Sequence, residues 1–231
     1  MTAVLARIHG LPSHHITAAE PSRHPSTEIA RLLGATFTRT KVGYNPALQS
    51  ALKKMQTEED FVVPYGITTE ADNELRPFHA VGAAQVINLP EQVETLVVPF
   101  GSGNSLTSII CGLVWHGRKN VKRLVTVGIG PEKDYWVLDR LRRMGIQNDW
   151  GFAWDNSVSL HRSGYAIYGD RMPYKFDNIE LHATYEGKIF NWMAETGYLD
   201  QWSDDKTAVW LVGAEPKIDA HRAYTSPGLG V

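Results

Sequence analysis

The chain has 231 residues, 43% of them hydrophobic and 21% charged, enough to bury a real core as one large domain or two small lobes. Lys and Arg total 23 against 25 Asp and Glu, and no basic block stands out, so nothing in the charge favours nucleic acid or an anionic membrane as a partner. A single cysteine, Cys111, rules out an internal disulfide; no apolar run approaches the roughly 18 to 20 residues that cross a bilayer, and MTAVLARIHGLPSHH lacks a signal-peptide core, so a cytoplasmic location is expected.

Taken in chain order, apolar strand patterns alternate with helical ones. A short helix is expected over residues 3–9, and HHITA (His14–Ala18) reads as a strand. PSTEIARLLGA places Ile29, Leu32 and Leu33 on one helical face behind a Ser26 cap, and residues 48–55 form a further helix. FVVPYG, residues 61–66, is strand-like, and HAVGAAQVINL, residues 79–89, is helix-like. ETLVVPF, residues 94–100, is apolar enough for a buried strand, and Leu106, Ile109, Ile110, Leu113 and Val114 then recur at helical spacing. KRLVTVGIG predicts another buried strand and DYWVLDRLRRMGI an amphipathic helix, with Arg140, Arg142 and Arg143 on its solvated face. Residues 147–177 are richer in Gly, Ser, Asn and aromatics and read as loop or edge structure. IELHATY leads into the helix GKIFNWMAETGYL, and TAVWLVGAE is one more buried strand. The alternation implies an α/β protein with a mostly parallel, three-layer sheet, in lobes over residues 15–90 and 91–231.

The turn inside LVVPFGSGNSLTS carries the first chemical signal. Gly101 and Gly103 admit positive φ and close approach of a ligand to the backbone, while the N–H groups that open the following helix favour a phosphate or carboxylate. Asn104 and Ser105 either cap the helix or donate to the same anion. A capped turn without a ligand is the alternative. A dinucleotide site would need a third glycine where Leu106 stands and an acidic residue about 20 positions on, where Arg118, Lys119, Lys122 and Arg123 lie instead. No Lys-Ser or Lys-Thr follows the glycines, so a nucleoside triphosphate loop is excluded too.

The order of motifs resembles the tryptophan-synthase β-like (fold type II) pyridoxal-phosphate enzymes, in their aminocyclopropane-carboxylate deaminase and D-cysteine desulfhydrase branch. VVPFGSGNSLTSIICGL is similar to that family's strand, phosphate loop and helix, which implies cofactor-binding roles for Gly101, Ser102, Gly103, Asn104 and Ser105. ATYEGKIFNWM is similar to its Tyr-Glu/Thr-Gly-Lys segment, and TAVWLVGAEP stands where the family has a strand and a glycine loop, without the usual His-Thr-Gly-Gly. The resemblance implies that Glu186 faces the pyridine nitrogen, that Tyr185 stacks on the ring or exchanges a proton near the substrate, and that Gly213 lies at the cofactor. Read without the resemblance, Tyr185 is a core aromatic and Glu186 a charge favoured by a helix N-terminus.

The family's Schiff-base lysine, on an early Gly-Asn-Lys-like segment, is not found. MTAVLARIHGLPSHHITA looks like the elements that follow that segment, so the chain is expected to be amino-terminally truncated relative to the family and to lack its Ser-Asn-His carboxylate clamp. Lys41, Lys53 and Lys54 read as solvated, and Lys188 occupies a different family position. His14 and His15, adjacent on a strand, face opposite sides and suit no shared metal. The seven tryptophans and the Tyr165/Tyr168 pair read as packing or interface residues.

Three functions follow as expectations. The first is a protein that holds pyridoxal phosphate or another phosphorylated small molecule in the Gly-Ser-Gly-Asn-Ser cup, with degenerate or absent catalysis. The second is an active pyridoxal-phosphate lyase or deaminase of small amino acids, its lysine supplied elsewhere. The third is a structural or interaction protein with a vestigial site. A homodimer or partner chain is expected to cover the face that the missing segment would leave bare.

Overall fold

The computed structural model describes residues 2–18, 25–41, 45–63, 71–130, 132–147, 150–159, 170–201 and 205–213. They divide into two compact units, one over Met1–Ile67 and one over Thr68–Ala214.

In the first unit, α1 (Thr2–Ile8), β1 (His14–Ala18), α2 (Pro25–Leu32), β2 (Thr36–Thr40) and α3 (Asn45–Met55) follow in order. β1 and β2 pair in parallel, with His14 opposite Thr36 and Ala18 opposite Thr40. Ala3, Ala30, Leu33 and Ala35 form the small core, with Val4, Ile29 and Phe37 against it. The helix α2 begins at Pro25, two residues earlier than a Ser26 cap requires, because proline's fixed φ suits a first helical position. The strand expected over residues 61–66 is absent where it is described. Residues 61–63 are irregular, Phe61 is 92% exposed, and residues 64–66 lie outside the described residues.

The second unit is a parallel sheet with helices on both faces. Its elements are α4 (Asp72–Ala84) with a 3-10 turn at Gln85–Asn88, β3 (Thr95–Phe100), α5 (Asn104–Trp115), β4 (Arg123–Gly128), α6 (Asp134–Arg143) and β5 (Ala153–Ser159). The hairpin β6 (Tyr174–Phe176) and β7 (Ile179–Leu181), helix α7 (Glu186–Thr196), a 3-10 turn at Tyr198–Gln201 and β8 (Thr207–Val209) complete it. The four-stranded sheet runs β5-β4-β3-β8, all neighbours parallel, while β6 and β7 form a separate antiparallel pair.

Side chains alternate across β3 and β4 and so divide the core in two. Leu96, Val98, Phe100 and Leu124 pack with α4, α5 and α6 through Ala83, Ile109, Ile110, Leu113, Val137 and Leu141. Val97, Val125 and Val127 face the other way, onto Ile189, Phe190 and Met193 of α7. Burial of both sheet faces explains why these strands read as continuous apolar runs. It also makes the unit three-layered, as the alternation of elements implied.

Two helices depart from their expected bounds, α4 at its start and α6 at its end. α4 begins at Asp72 and contains Pro77, which breaks a helical reading of the sequence, yet Leu75, His79 and Ala83 on its buried face carry it through. α6 ends at Arg143 and the chain turns out through Gly145, at φ 79°.

Candidate functional site

The turn at residues 101–105 stands at the carboxyl end of β3, where Phe100 pairs with Gly128 and its carbonyl accepts the Ile129 amide at 2.8 Å. Gly101 and Gly103 are buried, Asn104 is half-buried, and Ser102 and Ser105 are exposed. Gly103 is the N-cap of α5, at φ 91°, with no side-chain cap bond, so capping by Asn104 or Ser105 is not what the structure shows. Asn104 is already helical. The first intrahelical bond is Thr107 N–H to the Gly103 carbonyl at 2.9 Å, and the amides of residues 103–106 precede it, with no acceptor one turn back in the helix. No acidic residue occupies the first turn of α5, so its positive end is left intact for an anion.

Two helices buttress this turn. From α6, Trp136 presses on Gly103 so closely that a Cβ there would lie 2.9 Å from the indole Cε3 and Cζ3. The Arg140 guanidinium sits over the same indole, 3.7 Å from its centroid, and Arg140 is only 2% exposed. Arg140 is therefore not on a solvated helix face, as its neighbour Arg142 is. The i, i+4 spacing of Trp136 and Arg140 was the available signal, but three arginines in four positions masked it. From α4, buried His79 meets Ser108 of α5, with Nδ1 2.8 Å from Oγ. Ser108 donates to the Asn104 carbonyl at 3.2 Å, so the proton between His79 and Ser108 belongs on Nδ1. The His79 Nε2 atom is buried without a partner. Burial and, second, the charge of Arg140 push the His79 pKa down to about 4.

Glu186 opens α7 and is 1% exposed. Its Oε1 accepts the amides of Val212 at 2.5 Å and Gly213 at 2.9 Å, just beyond β8, while its Oε2 is buried and has no partner. Since β8 pairs in parallel with β3, Val97 opposite Val209, both chains leave the sheet at the same end. The glycine turn and the Glu186 carboxylate thus meet at one carboxyl edge, approached from opposite faces of the sheet. Gly213 packs on His182, where a Cβ would lie 3.2 Å from the histidine Cβ, and Tyr185 tilts against the same ring at 5.1 Å between centroids.

Lys41, Lys53 and Lys54 are exposed. Lys188 is fully buried, and burial pushes its pKa down, but it stands two residues after Glu186 and therefore points to the other side of α7. His14 bonds Thr36 and Thr38 across β2, while His15 tilts onto Phe37. The Tyr165/Tyr168 pair lies outside the described residues.

With its mostly parallel, three-layered sheet and a glycine turn and buried carboxylate at the carboxyl edge, the chain has the tryptophan-synthase β-like fold. A crystal structure of an ACC deaminase homologue matches with a TM-score of 0.68 at 14% identity, over 96% of this chain and 73% of that one. Maize serine racemase matches with a TM-score of 0.57 at 12% identity, over 96% and 71%. By sequence, the chain is 27% identical, over a gapped alignment of 281 positions, to the O-seryl-dTMP PLP-dependent decarboxylase of Salmonella phage ViI. That alignment covers 96% of this chain, which spans 66% of the relative's length. No protein-family model matches. Among the described residues, no helix is long and apolar enough to cross a membrane.

Proposed function

We propose that the chain holds pyridoxal phosphate, its phosphate on the amides of residues 102–105 and its ring nitrogen against Glu186 Oε2. The observation that carries this reading is that oxygen: a carboxylate atom buried without a partner, at the same sheet edge as an anion turn. A protonated pyridine nitrogen is the donor that such an acceptor fits. The bound cofactor would supply an electron sink for charge that develops on a substrate's α carbon. Glu186 would keep the ring nitrogen protonated, the turn would anchor the phosphate, and Tyr185, packed on His182 beside Gly213, would stack on the ring or exchange a proton near the substrate.

The phage relative supports a reaction class. Its name describes decarboxylation of a serine carried on a thymidine nucleotide, and the same class, loss of the carboxylate from an amino acid borne on a phosphorylated carrier, is proposed for this site. The family's early Schiff-base lysine segment is not found in the sequence, and Lys41, Lys53 and Lys54 are exposed, so reversible cofactor binding with little turnover is expected.

Titration of the purified chain with pyridoxal phosphate, followed by tryptophan fluorescence, tests the binding. Saturation that inorganic phosphate competes away, with much weaker binding of unphosphorylated pyridoxal, is the expected result. Equal binding of pyridoxal and pyridoxal phosphate would contradict it.

A further inference from the structure

A buried guanidinium needs a reason, because desolvating a cation costs free energy that its surroundings must return. Arg140 stacks on Trp136 at 3.7 Å, a close cation–π contact, and Cε3 and Cζ3 of the same indole are the atoms against which Gly103 rests. Val137, the next residue of α6, also touches Gly103, with Cγ2 3.0 Å from where a Cβ would stand. The third residue of the turn is therefore held by a wall whose outer support is a positive charge. The opposite end of the same edge carries the buried, partnerless Glu186 oxygen, so a ligand there would have one end beside a cation and the other beside an anion.

We propose that Arg140 is a positioning residue for the phosphate seat: it fixes Trp136 against Gly103 and sets a positive charge behind the amides of the turn. This rests on the reading of that turn as a phosphate seat. The charge and the α5 N-terminus then act in the same sense on a dianion, and a phosphate is favoured over a neutral group of equal size.

The test is the affinity of three probes, pyridoxal phosphate, inorganic phosphate and pyridoxal, for the unmodified chain and for R140M, R140K and W136F. R140M should lose at least tenfold in affinity for both phosphate-bearing probes and leave pyridoxal within twofold, a split that general loosening of the fold would not produce. R140K should recover most of the loss. W136F, with a smaller ring against Gly103, should fall between, and it decides the matter if R140M does not fold. Unchanged phosphate affinity in R140M or W136F, or equal losses for all three probes, would overturn the role of Arg140 while leaving the phosphate seat intact. Failure of the unmodified chain to bind either phosphate probe would overturn the seat itself, and Arg140's role with it.

Discussion

Glu186 and Gly213 are joined across 27 residues by a 2.9 Å bond from the Gly213 amide to the Glu186 carboxylate. With the Val212 amide on the same oxygen, this bond ties the start of α7 to the segment after β8. E186A should therefore leave two amides without their acceptor and cost about 1 to 3 kcal/mol. E186Q keeps an oxygen for both amides and should retain most of the stability. Urea unfolding of the two variants beside the unmodified chain measures the difference, and equal losses would show that the charge, not the acceptor, holds the segment.

Gly103 combines φ 91° with the Trp136 contact, so an added methyl group meets both backbone strain and the indole edge. G103A should be destabilised by about 1 to 3 kcal/mol and should lose phosphate affinity, since the turn cannot keep its shape without moving α6. Calorimetric unfolding and a phosphate titration check the two effects. A variant with unchanged melting and affinity would show that the turn tolerates the left-handed conformation and that the wall yields.

His79 makes stability depend on pH. Its pKa is near 4 when folded and near 6.5 when unfolded, so between these values the unfolded chain binds the extra proton and stability rises with pH. The contribution is complete above pH 6.5 and is lost as pH falls toward 4, up to about 3 kcal/mol in all. H79N keeps a donor near the Nδ1 position without titrating, and its unfolding free energy should vary less over that window. Equal slopes for both proteins would exclude His79 as the source.

Cys111 is buried on α5, and burial pushes its thiol up to about 12, so at neutral pH it is neither exposed nor a thiolate. A thiol reagent should label it only as fast as the unit opens. Labelling rates that follow urea concentration in parallel with unfolding are expected, whereas rapid native-state labelling would place the helix elsewhere.

Much of the sheet is legible in the sequence because its strands are buried on both faces. Residues 96–100 (LVVPF) are apolar throughout and residues 124–128 (LVTVG) nearly so, and the glycines between β3 and α5 mark the turn. The strand β2, TFTRT, escapes the same reading because it belongs to a small two-stranded sheet and carries polar residues on both faces. α4 hides behind Pro77, and the described part of FVVPYG, residues 61–63, misleads because an apolar run need not become a strand. At the site, the turn is suggested by local pattern and Glu186 only by the resemblance of its segment to the family. What locks them is long-range: Trp136 on Gly103, His79 on Ser108, Glu186 on the amides beyond β8. Local periodicity carries no record of such contacts, and for Arg140 it points the wrong way.

A crystal structure of the chain with pyridoxal phosphate is the most direct test of the central claim. The account places the phosphate oxygens within about 2.7 to 3.2 Å of the amides of residues 102–105, and the ring nitrogen at the same distance from Glu186 Oε2. A phosphate seated away from the turn, or a ring nitrogen facing any group other than Glu186, would contradict it.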